Sequence, residues 1–77
     1  MNVSDDVFKT KKNGFLVSTV KFAPSFYDGV WETMVFRVYT DQLDEHVDYT
    51  DLDCIRTENL NDARAAHQTM VEKYCNS

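Results

Sequence analysis

The residues of this 77-residue chain that most readily do chemistry include two histidines, His46 and His67, and two cysteines. His67 falls within a C-terminal stripe of apolar residues at helical spacing, so it should face the interior. A buried imidazole can be a catalytic base, a metal ligand, or a neutral ring hydrogen-bonded to a strand residue such as Ser18 or Thr33. A triad of Ser18 and His67 with an Asp would need a strained nucleophile turn or a Gly-rich oxyanion loop, and the sequence has neither. We therefore expect a structural His67 and no enzymatic activity.

The spacing of the histidines and cysteines also argues against a metal site. His46, Cys54, His67 and Cys75 are separated by seven, twelve and seven residues, which matches no usual zinc finger. On one helix, His67 and Cys75 would lie about 12 Å apart along the axis, whereas the ligands of one zinc lie within about 2.3 Å of it. A Cys54–Cys75 disulfide is possible in geometry but disfavoured in a reducing compartment. The sequence predicts no metal and no cofactor.

Acidic side chains are concentrated in one segment of the chain. The formal net charge is −5, and six of thirteen acidic residues lie between Asp41 and Asp53, a segment without Lys or Arg. The register and the glycine of a calcium-binding loop are missing. The segment is either a solvated loop or a negative surface that docks on a basic protein or mimics nucleic acid. Direct nucleic-acid binding is disfavoured, because phosphate contacts need clustered Lys and Arg. The acids assigned to this surface are Asp44, Glu45, Asp48 and Asp51.

The elements that must position these residues are predicted to be three strands and one helix. After the turn signal Asn13-Gly14, the predicted elements are strands over 15–23, 31–40 and 51–56, a loop over 41–50, and a helix capped by Asn59. Short connections favour antiparallel pairing. The predicted fold is α+β, a three-stranded antiparallel β-sheet in the order β-β-β-α with one C-terminal helix packed on one face. Residues 1–12 are predicted to be a polar N-terminal arm, and residues 13–77 a single domain.

Strand alternation gives the predicted sheet two apolar faces, of which one helix can cover only one. The predicted core is Leu16, Val20, Phe22, Met34, Phe36, Val38, Cys54, Leu60, Ala63, Met70 and Tyr74. The other face would then expose a patch that includes Trp31, Val35, Arg37 and Tyr39, unless Val7 and Phe8 of the arm cover it. Exposed apolar patches of several hundred Å² usually mark interfaces, and Trp, Tyr and Arg are common at binding hot spots. This face predicts a homodimer packed sheet to sheet, or a contact with another protein.

Several segments carry a family resemblance. They are Val17-Ser18-Thr19-Val20, Glu32-Thr33-Met34-Val35-Phe36, Arg56-Thr57, and a helix with Ala63, Ala66-His67 and Met70-Val71. Over residues 17–75 the chain resembles a family of small uncharacterised bacteriophage and prophage proteins. The ETMVF block is the most specific part, and Ala66 stands where that family more often has Gly. The family has no established activity, so the resemblance implies a phage accessory protein and no particular chemistry.

The expected function combines this resemblance with the apolar face. We expect a non-enzymatic phage accessory protein that acts by protein–protein contact, as a homodimer or on a host or phage protein. The alternative is an acidic, nucleic-acid-mimicking inhibitor of a host enzyme or defence system. No stretch is long and apolar enough to span a membrane, and residues 1–6 lack the apolar core of a signal peptide. The expected location is therefore the cytoplasm, that of the host cell if the chain is phage-encoded.

Overall fold

The computed structural model describes residues 7–22 and 30–76. Over these ranges the backbone forms a four-stranded antiparallel sheet in sequential order, followed by a helix. The elements are β1 (Val7–Lys12), β2 (Phe15–Phe22), β3 (Val30–Asp41), β4 (Asp44–Thr57) and α1 (Leu60–Met70), with a π-helical turn over Val71–Cys75. The predicted α+β class, with an antiparallel sheet and a C-terminal helix, is confirmed, but the sheet has four strands and not three. Neither described helical segment is long and apolar enough to cross a membrane.

The additional strand comes from the segment predicted to be a polar arm. Residues 7–12 pair in register with β2 and form one edge of the sheet. Asn13 and Gly14 connect the two strands with φ values of 57° and 83°, the left-handed conformation that two-residue hairpin turns require. A segment with several lysines is consistent with a solvated arm, but lysines are also typical of exposed edge strands. The remainder of the predicted arm, residues 1–6, lies outside the described residues.

The acidic segment is a β-hairpin and not the predicted loop. β3 continues to Asp41 and β4 begins at Asp44, with paired residues along both strands. Like charges are tolerated there because the acidic side chains are exposed to water, which screens their repulsion. The pairing register shifts between Val35 and Arg37, so residues 49–52 of β4 lie opposite the single residue Phe36. The predicted short third strand is therefore only the second half of a longer, irregular strand.

The helix packs on the sheet face opposite to the predicted one. Val35 is fully buried and Trp31 is only 5 % exposed, so the prediction that these two side chains face solvent is wrong. The buried cluster beneath the helix comprises Val17, Val35, Met70 and Cys75, with Phe15, Ile55, Val71 and Tyr74 packed against it. We call this side of the sheet the covered face, and the side that carries Leu16, Met34 and Val38 the open face.

Both faces of the two central strands are apolar, so alternation alone does not identify the face that the helix covers. His67, the polar residue in the apolar stripe of the helix, distinguishes the two faces. A half-buried His67 needs hydrogen-bond partners, and the covered face presents Thr19 and Thr33 directly opposite each other on neighbouring strands. The buried alanines Ala63 and Ala66 form the helix surface beside it, where their small side chains permit a close approach to the sheet.

The predicted core is correct only in part. Phe36, Ala63 and Met70 are buried, whereas Cys54 and Leu60 are exposed. Partly buried members are Leu16, Val20, Met34, Val38 and Tyr74. The side chain of Phe22 lies outside the described part of the chain. Phe36 is buried although it belongs to the open face, because the ring of Tyr49 packs against it with a centroid distance of 5.3 Å.

The helix begins where the sequence predicts. Asn59 caps it by accepting a hydrogen bond of 2.8 Å from the backbone N–H of Asp62, and its side-chain amide donates to the Asp62 carboxylate at 3.0 Å. At its end the backbone changes to a π-helical turn. In this turn the backbone N–H of Asn76 donates to the carbonyl of Val71, five residues earlier, and Cys75 is fully buried in the same cluster as Met70.

Candidate functional site

The first candidate site is a polar cluster of Thr10, Thr19, Thr33 and His67, which we call the threonine–histidine cluster. Nε2 of His67 lies 2.9 Å from Oγ1 of Thr10, and Nδ1 lies 2.8 Å from Oγ1 of Thr19. Oγ1 of Thr19 in turn lies 2.7 Å from Oγ1 of Thr33. The cluster thus joins α1 to three neighbouring strands through side chains that the β-sheet register places on one face.

The electrostatics of the threonine–histidine cluster favour a neutral imidazole. Burial lowers the pKa of His67 below its ordinary value of 6.5. A neutral ring donates from one nitrogen and accepts at the other, and threonine hydroxyls can serve either need by rotating. Both nitrogens are therefore engaged, which leaves neither one open to a substrate or a metal ion. Of the two partners suggested by the sequence, Thr33 is reached only through Thr19, and Ser18 lies on the open face.

Aromatic rings close one side of the threonine–histidine cluster. The ring of Phe8 stacks on Trp31 with a centroid distance of 5.6 Å and meets His67 edge-on at 6.0 Å. The guanidinium of Arg64 lies 5.9 Å from the centre of the Phe8 ring. Phe8 therefore covers part of the face of Trp31, but as a member of β1 and not of a separate arm, and the side chain of Val7 lies outside the described residues. These contacts give the cluster the surroundings of a packed interior and not of an open cleft.

The cysteines do not add a chemical site. Both are free thiols, with Cys75 buried and Cys54 exposed. Desolvation is the largest cause that raises the pKa of each thiol, so the reactive thiolate is disfavoured at both positions. Within residues 7–22 and 30–76, no group of three or more His, Cys, Asp or Glu side chains is arranged to hold a metal ion.

The predicted contact residues of β3 are divided by the structure. Trp31 and Val35 belong to the core, whereas Arg37 and Tyr39 are exposed. Arg37 lies over the ring of Phe15 at 5.2 Å from its centroid, next to the end of the covered face. The four residues therefore do not form one exposed patch, because Phe8 packs on Trp31 and the helical segment covers Val35, whereas Arg37 and Tyr39 are exposed.

The open face of the sheet is the apolar surface that the helix leaves uncovered. Leu16, Val20, Met34 and Val38 are all partly exposed there. One cross-strand ion pair borders them, in which Nη2 and Nε of Arg56 donate to Oε2 of Glu32 at 2.6 and 3.1 Å. The sequence predicts these four residues to be core, because apolar side chains are expected both in a core and at an interface.

The predicted acidic residues lie together on the β3–β4 hairpin, and all four are exposed. Glu45 forms an ion pair with Lys11 of β1, which draws the hairpin toward the β1–β2 turn. The carboxylate of Asp48 accepts a hydrogen bond of 3.0 Å from the backbone N–H of Thr50. Asp44 and Asp51 complete the set. Apolar side chains that the sequence analysis did not single out are interspersed with these acids, namely Leu43, Tyr49 and Leu52.

Asp53, the last acid of the segment, has a structural role. Its carboxylate accepts hydrogen bonds from Nζ of Lys73 at 3.1 Å and from the hydroxyl of Tyr74 at 3.0 Å. The hydrogen bond from Lys73, followed by that from Tyr74, lowers the pKa of this carboxyl below its ordinary value. Asp53 thereby ties β4 to the π-helical turn, and it is not part of the exposed acidic surface.

The two edge strands carry features that discourage pairing with another chain. On β4, the backbone N–H groups of Thr50 and Cys54 donate to the side chains of Asp48 and Asp53, each at 3.0 Å. On β1, exposed lysines flank the unpaired edge. Charged side chains, irregularities and occupied N–H groups all make an edge strand a poor template for a further strand. Contact through the open face or the hairpin is therefore favoured over pairing at an edge strand.

Comparison with protein-family models, with curated proteins and with solved structures yields no match.

Proposed function

We propose that this chain is a non-enzymatic protein that acts by protein–protein contact, and that it forms a homodimer through the open face of its sheet. The observation that carries the proposal is the uncovered row of Leu16, Val20, Met34 and Val38 on the side of the sheet opposite the helix. Contiguous apolar surface of this kind is usually covered by a partner. The engaged ring nitrogens of His67 support the non-enzymatic part of the proposal.

The open face offers a modest area for a dimer interface. Four strands about 4.8 Å apart and about eight residues long span roughly 19 by 26 Å, which is roughly 500 Å² in projection. This area also carries the charged side chains of Lys11, Glu32 and Arg56, and it is below the area of about 800 Å² per partner that a standard interface buries, as expected of a weak, concentration-dependent dimer. Exposed lysines on β1 and occupied backbone N–H groups on β4 discourage the addition of another strand at either edge. Packing face to face is therefore favoured over extension of the sheet.

The resemblance to small phage and prophage proteins supports the proposal that the chain is a phage accessory protein working in the cytoplasm of the host cell. The segments that carry the resemblance serve the fold. Thr33 of the ETMVF segment belongs to the threonine–histidine cluster, as does His67. On this proposal the recurring residues maintain a scaffold, and the function depends on the surfaces of the scaffold.

Solution mass tests the proposed dimer. Size-exclusion chromatography with light scattering, from about 1 µM to about 500 µM protein, should give a mass that approaches twice the 9.0 kDa of the chain. Leu16→Ser and Met34→Ser should shift this equilibrium toward the monomer while the circular dichroism spectrum is retained. Leu60→Ser is the matched control, because Leu60 is exposed on the helix and away from the open face. A wild-type mass of 9.0 kDa at every concentration would refute the dimer.

A second candidate function is mimicry of nucleic acid, as an inhibitor of a host enzyme or defence system. The observation that favours it is the placement of the acidic residues on a hydrogen-bonded hairpin, which gives the charges fixed spacing. Replacing Asp44, Glu45, Asp48 and Asp51 together by their amides should then abolish inhibition of a bacterial restriction nuclease in a DNA-cleavage assay. Cleavage that the wild-type chain leaves unaffected across a panel of such nucleases would count against this candidate.

A further inference from the structure

The β3–β4 hairpin combines its acids with an unusual share of exposed apolar side chains. Five large apolar residues are exposed in the described part of the chain, and four of them, Tyr39, Leu43, Tyr49 and Leu52, lie on this hairpin. Leu43 at the tip is 96 % exposed and Tyr49 is 72 % exposed. We call residues 39–52 the hairpin arm. A solvated arm whose only task was solubility would have no need of large apolar groups in water.

The arm is held in place by contacts with the rest of the domain. Glu45 pairs with Lys11, the backbone N–H of Val38 donates to the carbonyl of Gly14 at 2.8 Å, and Tyr49 rests edge-on against Phe36. At the tip, Gln42 has a φ of 53°, a left-handed conformation that is uncommon for a residue other than glycine. These constraints present Leu43 and Tyr49 to solvent on an ordered support, which reduces the entropic cost of binding.

The charge of the arm specifies the chemistry of its occupant. Residues 39–52 contain five acids and neither Lys nor Arg. The arm of a second copy would meet it with like charge, and the remainder of the chain has a net charge near zero. A complementary surface must therefore carry Lys or Arg beside apolar side chains, as the two sides of a cationic amphipathic helix do.

We infer that the hairpin arm is a docking site for a cationic amphipathic helix of a partner protein, with Leu43 and Tyr49 as apolar anchors. The acids Asp44, Asp48 and Asp51 attract the basic face of that helix through their electrostatic field, since the register places Asp44 and Asp48 on the opposite side of the two-stranded hairpin from Tyr49. This inference deepens the proposed function of protein–protein contact and depends on it. It can be tested separately from the open-face dimer because Leu43 lies at the hairpin tip, although Tyr49 packs against Phe36 of the open face.

A titration with two synthetic peptides tests the inference. The first peptide is an amphipathic helix with leucines on one face and lysines on the other, and the second has the same lysines but glutamines in place of the leucines. Each is added to the ¹⁵N-labelled full chain at about 150 mM NaCl, where long-range charge effects are screened. We expect the leucine peptide to bind at least about tenfold more tightly, with amide shift changes concentrated in residues 39–52.

Variants of the anchors locate the contact. Leu43→Ser should weaken binding of the leucine peptide by about tenfold, and because Leu43 is 96 % exposed the substitution should leave the thermal unfolding temperature unchanged. Tyr49→Ser should act in the same direction, and thermal unfolding controls for its contact with Phe36. Leu60→Ser should leave binding unchanged.

Two results would overturn the inference. Equal affinity for the two peptides would mean that charge alone drives binding, as expected of a nucleic-acid mimic. Shift changes centred on Leu16 and Met34 would mean that the leucine peptide uses the open face. Neither result changes the mass measured for the chain alone, so the docking inference and the dimer proposal fail separately.

Discussion

The hydroxyl of Thr19 lies 2.8 Å from Nδ1 of His67, within the interface between the sheet and the helix. Thr19 is fully buried, and its oxygen is also 2.7 Å from the hydroxyl of Thr33. The Thr19 hydroxyl of β2 is therefore a hydrogen-bond partner of both His67 in the helix and Thr33 in β3. Buried polar groups that are satisfied in this way favour one packing arrangement over others, because any alternative leaves them without partners.

Thr19→Val should destabilise the fold. The substitution keeps the shape of the side chain but removes the hydroxyl, so Nδ1 of His67 and the hydroxyl of Thr33 each lose a partner. Leaving buried polar groups unsatisfied costs about 1–3 kcal/mol. Urea unfolding near neutral pH, followed by circular dichroism, should show the free energy of unfolding reduced by about that amount. An unchanged midpoint would mean that water replaces the hydroxyl without loss.

Thr57→Val should have the opposite effect and serves as the matched comparison. Oγ1 of Thr57 is buried and has no hydrogen-bond partner in the described part of the chain. Replacing that hydroxyl by a methyl group removes a desolvation cost and adds apolar contact beside Trp31, its cross-strand neighbour. We expect the same urea experiment to show stabilisation by about 1 kcal/mol. Destabilisation of similar size would reveal a partner for the Thr57 hydroxyl.

The stability of the fold should decrease in mildly acidic solution because of His67. Burial lowers its pKa below 6.5, so the unfolded chain binds a proton at a higher pH than the folded chain does. The free energy of unfolding should therefore be greatest above 6.5 and fall as the pH drops through the folded-state pKa. Asp53 adds a separate loss below 3.8, since its own pKa is lowered by Lys73 and Tyr74.

Urea unfolding at a series of pH values between about 5 and about 8 measures this dependence. His67→Gln should flatten the curve in that range, because the amide does not titrate. His46→Gln is the control, since His46 is exposed on the hairpin and loses no buried environment on unfolding. If the wild-type and His67→Gln curves have the same slope, burial of the ring is not the cause.

Trp31→Ala should prevent stable folding, whereas Tyr39→Ala should leave the fold intact. Trp31 is buried against Phe8, and removing a buried Trp costs about 3–5 kcal/mol, a large part of the stability of so small a domain. Tyr39 is half exposed and loses little on truncation. Thermal unfolding of both variants distinguishes the two environments. A cooperative Trp31→Ala transition at the wild-type temperature would contradict the core position of Trp31.

The local features of the fold are encoded in short stretches of sequence. The Asn13-Gly14 turn, the two central strands, the Asn59 cap and the helix that follows it are all predicted by the residue types of short segments. Their residue types restrict the backbone wherever they occur, and the structure contains each of them. The division of β2 and β3 into two faces follows in the same way from the two-residue period of a strand.

Which face the helix covers was decided only in the tertiary structure. Both faces carry apolar side chains, so apolar character alone does not separate them, whereas the hydrogen bonds of His67 with Thr10 and Thr19 form only on the covered face. Those residues are 57 and 48 positions away from His67 in the chain, and no local pattern reports that they meet. The charged hairpin and the lysine-rich edge strand form by pairing with the neighbouring strand across a short turn. Such pairing stabilises segments whose own composition favours solvent, so their strand structure follows from the sheet they join.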